Sequence, residues 1–400
     1  MTIAAEAETG RDEDRVAGLV ERLLDEHPPG ATDKREFLGA QFDAGLAWIH
    51  FDEGHGGLGL NPGLQKIVQE RLAKAGAPHP YPRNPIGYGM GAPTVFTHGS
   101  EEQRDRYLRP LFTGEEVWCQ LFSEPGAGSD VASLATRAVR DGDEWVVNGQ
   151  KVWTTLAHLA RFGMLVARTD PSQPKHKGMT YFVVDMHDPG VEVRPLRQIT
   201  GEAEFNEVYN TDVRNPDAER LGDIGEGWRV SLTTLMNERV SIGGSVPGRG
   251  SGLIGMVVQA WKDLGHDDPA RRDELMRLWT RAEALRLTNW RASQNRRLGT
   301  PGPEGSIGKL GMADLNKELT AFWVDLQGAA GMLYGSYEMS RPATAMSFDN
   351  AQKAFLRCRA NSIEGGTSEV MRNILGERIL GLPGDVRTDR ELPWSEVPRS

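Results

Sequence analysis

A carboxylate in a glycine-bounded turn, SIEGGTSEV at residues 362–370, is the first stretch of this 400-residue chain whose residue types could do chemistry. Its Glu364 has the character and setting of a general base. A longer stretch, CQLFSEPGAGSDVASLATRAVRDGDEWVVNGQKVWTT at residues 119–155, offers something different. Backbone N–H groups in its Gly-Ala-Gly-Ser-Asp turn can form an anion nest. Ser123, Ser129 and Thr155 supply hydroxyls that a planar, hydrogen-bonding cofactor can use, and Trp153 can cover one face of its ring. The same residues also read as a turn with capping serines and a core tryptophan, and composition does not choose between the two.

Other stretches only resemble motifs. GSGLIG at 250–255 fits the spacing of a dinucleotide loop, but a glycine-rich break and a helix precede it where that fingerprint requires a strand. His50 and His55 flank Phe-Asp-Glu-Gly with no third metal ligand nearby in sequence. Cys119 and Cys358 are far apart and have no metal spacing. No metal site is expected.

The elements that must position these residues follow from composition and periodicity. A net charge of -10 argues against a nucleic-acid partner. No apolar run reaches the roughly 20 residues of a membrane span. The acidic start, MTIAAEAETGRDEDRV, lacks an export signal, so a cytoplasmic enzyme is expected. Helical spacing dominates residues 1–116, with Ser100 as an N-cap and Gln103 three residues on. Period-two strands fill 117–226, with a hairpin expected at Asn148-Gly149. Long helices return over 227–400, giving an α+β chain that is mainly α and has no βαβ alternation.

Together with GYGMGAP, THGSEEQRDRYLRPLFTGE, GDIGEGW, LQGAAG, IEGGTSE and GERILGLPGD, the 119–155 stretch resembles the acyl-CoA dehydrogenase family over nearly the whole chain. The resemblance implies an N-terminal helical domain, a β-barrel-like middle domain and a C-terminal four-helix bundle. It also implies FAD where the domains and a neighbouring subunit meet. Carried over by position, Gln120, Phe122 and Ser123 contact the flavin, Ser129 meets the pyrophosphate, Trp153 stacks on the isoalloxazine and Thr155 bonds near its reactive edge. Thr367 and Glu369 fall where the family touches the adenosine part. Leu326, Gln327, Gly328, Ala329 and Ala330 match a loop that the family lends to the adjacent subunit.

The implied reaction removes an α-proton from an acyl-CoA thioester while a β-hydride passes to flavin N5. It needs a carboxylate at the α-carbon and donors at the carbonyl. Members with the base in this loop carry it where this chain has Gly365, which places Glu364 one position early and leaves Gly365 an N–H for the thioester carbonyl. Isovaleryl and long-chain members take the base from a helix, just before an arginine. Glu238 and Arg239 in TLMNERVSIGG match that pair, with Arg239 helping to hold CoA. At about 100° per residue, Trp228, Leu232, Leu235, Met236 and Ile242 form an apolar stripe, with Arg239 near its centre and Glu238 at its edge.

Three departures stand against this background. The family's Arg-x-x-Phe, which reaches a neighbour's FAD, is absent, leaving Arg271 or Arg272 as substitutes; Asp325 replaces the usual Gln; and Pro247 interrupts a usually continuous helix. The expectation is an FAD-dependent acyl-CoA dehydrogenase passing electrons to electron-transfer flavoprotein, as a homodimer or homotetramer, with a heteromer as an open alternative. An oxidase or monooxygenase on the same scaffold, and a non-catalytic subunit, are the competing readings.

Overall fold

The computed structural model describes residues 3–243, 246–296, 305–344, 350–386 and 388–398, without the side chains of 3–9, 239–243 and 295–296. Five helices come first: α1 (Ile3–Glu26), α2 (Lys34–Asp43), α3 (Gln65–Lys74), α4 (Ala92–His98) and α5 (Glu101–Thr113). Val16, Val20 and Leu23 of α1 pack on Val68 and Leu72 of α3 because they recur at helical spacing on one face. The expected start of α5 is present as a full capping box, with Ser100 and Gln103 bonding each other's backbone N–H. The helix ends at Gly114, whose φ of 71° is the left-handed conformation that a glycine adopts without strain.

Eight strands follow: β1 (Trp118–Leu121), β2 (Arg137–Asp141), β3 (Glu144–Thr155), β4 (Phe162–Arg168), β5 (Met179–Asp185), β6 (Val191–Pro195), β7 (Phe205–Pro216) and β8 (Arg220–Leu221). They form one sheet in the order β6-β7-β3-β2-β4-β5-β8, with β1 parallel to β4. β4 is buried along its whole length, and β5 up to its last residue. One face meets Tyr107, Leu111 and Phe112 of the first helices, and the other meets Trp145 and Val147 inside the sheet. Burial on both faces explains why FGMLVAR and MTYFVVD read as continuous apolar runs.

The hairpin expected at Asn148-Gly149 is not there. β3 runs straight through it and turns back to β2 at Asp141–Glu144 instead, with Gly142 at φ 64°. Asn148 is held flat from the opposite strand, since its amide donates to Asp212 Oδ1 and its oxygen accepts from Asp212 N, both at 3.0 Å. The pairing of β3 with β7 shifts register here and again between Lys151 and Thr154. Asn-Gly marks a bulge in a long strand.

The last part is helical: α6 (Gly227–Gly243), α7 (Leu253–Asp263), α8 (Pro269–Arg296), α9 (Gly305–Asp325), α10 (Ala351–Arg357) and α11 (Ser368–Arg378). α7, α8, α9 and α10 share a core of Val257, Leu278, Leu319, Phe322 and Ala354. The break between α6 and α7 spans the segment containing Pro247. The segment after α9 lies back on the sheet region, with Ala203 N donating to Ser340 O at 2.7 Å and Tyr334 OH to Thr200 O at 2.9 Å.

The bulge generates a prediction. An added Cβ at Gly149 would lie 2.7 Å from the Cα of Thr136. Gly149→Ala is expected to cost about 1–3 kcal/mol, read as a lower urea midpoint; an unchanged midpoint would contradict the close approach.

Candidate functional site

The glycine-rich turn is carried on a buried ion pair. Lys151 of β3 is fully buried, and its ammonium donates to Glu124 Oε1 at 2.8 Å, Val166 O at 2.9 Å and Phe122 O at 3.0 Å. Glu124 also accepts from the N–H groups of Ala135 and Thr136 at 2.6 and 2.9 Å. Burial opposes the charge of both partners. The Lys151 ammonium and these donors nonetheless hold the Glu124 carboxyl below its usual range. For Lys151, burial outweighs Glu124 and pushes the ammonium down. Phe122, Ser123 and Glu124 are thereby fixed from behind, and Ser123 O also accepts from Val152 N at 2.9 Å.

In front of that anchor the surface is open. Ser129 is exposed and Ser123 and Gln120 are half-buried, whereas the Phe122 side chain is buried, which leaves its backbone as the part available to a ligand. Gly126 and Gly128 need no glycine for packing or turn geometry, since an added Cβ would meet nothing within 4 Å and neither has positive φ. Their smallness leaves backbone N–H groups accessible to an approaching anion. Trp153 is no core residue: it is 57% exposed, at φ 61°, where β3 breaks register with β7. A bulky aromatic in left-handed backbone is costly, and this one presents a bare ring face edge-on to Phe205 at 5.9 Å. Thr155 pairs with Phe205 beside it. The open turn and bare ring are the donor set and platform a flavin dinucleotide needs, so these residues fit FAD.

The loop at 362–370 is pinned from two sides. Arg357 and Glu204 have side chains only 3% exposed and meet at 3.0 Å; Arg357 also grips Glu364 at 3.0 and 3.3 Å. Asn361 donates to Glu364 Oε1 at 2.7 Å. Both oxygens of Glu364 are therefore engaged. Gly365 and Gly366 then take φ of 65° and 96°, and the Gly365 N–H has no acceptor among the described residues. Thr367 caps α11 by accepting from Val370 N, and Glu369 is exposed in its first turn.

Glu238 stands on α6 (Gly227–Gly243). The apolar stripe expected on α6 is only partly its buried face: Trp228 and Leu235 are half-buried against the core and Leu232 is exposed, the Ile242 side chain lies outside the described residues, and Gly227, Val230, Ser231 and Thr234 are buried. Small residues are required there because α6 approaches closely, with Thr234 Oγ1 2.9 Å from Thr94 Oγ1 and 3.0 Å from Tyr181 OH. The spacing 227, 231, 234, 238 keeps Glu238 on that inner face. It is half-buried, with the Gln120 amide 3.5 Å from Oε2. Gln120 thus faces the carboxylate through its side chain, a contact sequence reasoning missed. Arg239 follows in α6, and its side chain lies outside the described residues.

The remaining expected residues are elsewhere. Gly328, Ala329 and Ala330 are exposed in a short turn after α9, with Gln327 half-buried against Gln352 at 2.7 Å. Leu326 is buried in the helical core, and its carbonyl accepts from His266 Nε2 at 2.8 Å. Asp325 is exposed, as is Arg272, and Arg271 is half-buried. The fold also brings Glu101 and Asp105 of α5 to His55, all within 4.8 Å, a grouping invisible in the linear reading. Both carboxylates there are exposed. Among the described residues no helix is long and apolar enough to cross a membrane.

Comparison with known proteins gives a consistent picture. Family models described as acyl-CoA dehydrogenase N-terminal, middle and C-terminal domains match residues 13–115, 119–213 and 225–380. The chain is 39% identical over 345 residues to acyl-CoA dehydrogenase IpdE1 of Mycobacterium tuberculosis, covering 86% of each. Among solved structures it resembles the Tcur3481-Tcur3483 steroid ACAD, with a TM-score of 0.72 and 29% identity over 96% of this chain and 99% of that one. The ChsE4-ChsE5 complex from Mycobacterium tuberculosis gives a TM-score of 0.70 and 27% identity over 96% and 99%.

Two predictions follow from the buried charges. Arg357→Leu leaves Glu204 and Glu364 without their shared cation and is expected to cost about 3–5 kcal/mol, read by denaturant unfolding; a cost below about 1 kcal/mol would show the triad to be dispensable. Glu124, with its carboxyl depressed in the folded state, contributes stability that is present above the unfolded carboxylate range and is lost as pH falls through the folded value. Glu124→Gln should therefore flatten the fall in Tm below about pH 4.5, and an unaltered slope would contradict the assignment.

Proposed function

This chain belongs to the acyl-CoA dehydrogenase family, whose members are flavoproteins, and within it we propose that Glu238 is the base that takes the α-proton of a bulky acyl-CoA thioester. The single observation that carries this reading is the division of labour between two carboxylates. Glu364 spends both oxygens on Arg357 and Asn361, whereas Glu238 stands half-buried on the inner face of α6 beside Gln120. The chain is an oxidoreductase acting on acyl-CoA; the residue roles and the substrate class are the parts proposed.

In this reading the pair of electrons left by the α-proton spreads onto the thioester oxygen, and the Gly365 N–H receives that charge. The proton moves to a Glu238 oxygen. FAD, when bound, supplies the acceptor for the β-hydride, and electron-transfer flavoprotein is the onward partner that the family implies. Trp153 holds the ring face, Thr155 and Ser123 bond its edge, Ser129 and the turn's N–H groups meet the pyrophosphate, and Thr367 and Glu369 approach the adenosine part. Arg239 helps to hold CoA.

Two further features are proposed on comparison. Similarity to a steroid ACAD supports a large polycyclic acyl group over a short straight chain. The paired names of both structural relatives, with the absent Arg-x-x-Phe and the exposed Gly328–Ala330 turn, support an assembly with a second family chain over a simple homo-oligomer.

Anaerobic titration of the yellow protein with a panel of acyl-CoAs tests the reading. Bleaching of the flavin with one acyl class is expected. Glu238→Gln should slow it by about 10²–10⁴-fold, with Glu364→Gln keeping a rate within about tenfold of wild type. The reverse pattern would transfer the base to Glu364. Fast reoxidation by air would favour the oxidase reading, and a colourless protein that yellows on co-expression with a second family chain would mark a subunit needing its partner.

A further inference from the structure

Beneath the Gly365–Gly366 turn lies a third buried cation. Lys309 of α9 is fully buried, and its ammonium donates to Gly366 O at 2.5 Å. The turn it fastens is spatially constrained, since a Cβ on Gly366 would lie 2.5 Å from Met371 Cε. Among the described residues the carboxylates that act on Lys309 are Glu364 from the loop, Glu238 from α6, Asp314 from α9 itself and Glu369 from the start of α11. Glu364 is matched by Arg357, Asp314 by Lys317 at 3.3 Å and Arg372 at 3.8 Å, and Glu369 by Arg372 at 3.9 Å. On α8, Arg281 is engaged with Glu318 and Arg286 with Glu283. A buried ammonium bonded to a carbonyl is costly without negative charge close by, and Glu238 is the one of these four carboxylates assigned to the reaction.

We propose that Lys309 is a positioning residue of this site: it fastens the Gly365–Gly366 turn through the Gly366 carbonyl and presents a positive charge that keeps Glu238 in its carboxylate form. This rests on Glu238 being the base. The arrangement has an electrostatic logic. When Glu238 takes the α-proton, its negative charge is replaced by one on the thioester oxygen, held by the N–H of the same turn that Lys309 secures. The cation therefore faces negative charge on both sides of the transfer. Burial pulls the Lys309 ammonium below its ordinary value while Glu364 and Glu238 oppose that fall, which agrees with mutual dependence between cation and base.

The test isolates proton removal from hydride transfer. Exchange of the α-protons of a 3-thia-acyl-CoA into D2O, followed by NMR on the holoenzyme, reads the base alone, because sulfur at position 3 has no hydride to give. Lys309→Met should slow exchange by about tenfold or more and move the acid limb of its pH profile to higher pH. Lys309→Gln keeps a donor for Gly366 O without the charge. It should recover the turn's contribution to thioester affinity, yet retain the displaced limb; it also carries the test if Lys309→Met does not fold. Lys309→Arg should bring the limb back towards wild type. Exchange at the wild-type rate with an unmoved limb in both neutral variants, accompanied only by a lower Tm, would overturn the proposal and leave Lys309 a structural anchor. Exchange in wild type that Glu238→Gln does not affect would instead remove the base assignment, and the proposal with it.

Discussion

Arg357 is buried between two carboxylates, Glu204 from the sheet region and Glu364 from the loop after α10, and the arrangement of the site depends on that contact. A guanidinium with 3% exposure needs charged partners at hydrogen-bond distance, and each partner comes from a different part of the chain. The triad therefore fixes the register between the middle sheet and the last helices. Phe205 lies under the guanidinium at 5.5 Å, next to Glu204 and in contact with Trp153, so the same residue orders the platform side of the site. Arg357 also engages both oxygens of Glu364, together with Asn361, and that engagement is what supports the proposed choice of Glu238 as base.

The same device recurs at smaller scale. Lys151 holds the Phe122–Glu124 segment from behind through two carbonyls and a carboxylate. Lys309 holds Gly366. In each case a buried cation donates to inward-facing oxygens of a loop and so holds its backbone from behind. In the proposed reading the loops' N–H donors are then set before a ligand arrives, the preorganisation that stabilises developing negative charge in a site sheltered from water. The cost of burying these cations is offset locally by specific acceptors.

Much of this was legible in the sequence. The order of helices, strands and helices follows from the change of period, and the capping box of α5 from Ser100 and Gln103 alone. The place of Glu364 one residue before Gly365 was legible, but its engagement by Arg357 and Asn361 was not, and Arg357 is anchored in turn by Glu204, 153 residues away with no local pattern to join them. Tertiary packing also overrode two local readings. Asn148-Gly149 carries a hairpin signal, yet a long partner strand and the Asp212 side chain keep it extended. The apolar stripe of α6 predicted the buried face only in part: Trp228 and Leu235 pack on the core, but close approach to Thr94 and Tyr181 selects small residues such as Ser231 and Thr234 for the most buried positions. Leu326, which matches a ligand-facing loop by position, has its side chain in the helical core just after α9, a placement that no local pattern shows.

In the proposed reading two acids have separate duties, Glu238 chemical and Glu364 architectural. The most direct test is a crystal structure of the flavin-loaded protein with a non-reducible acyl-CoA thioester bound. A Glu238 oxygen within about 3–3.5 Å of the α-carbon is expected, with Glu364 still held by Arg357 and Asn361. A Glu364 carboxylate released from Arg357 and lying against the α-carbon, with Glu238 directed away, would contradict it.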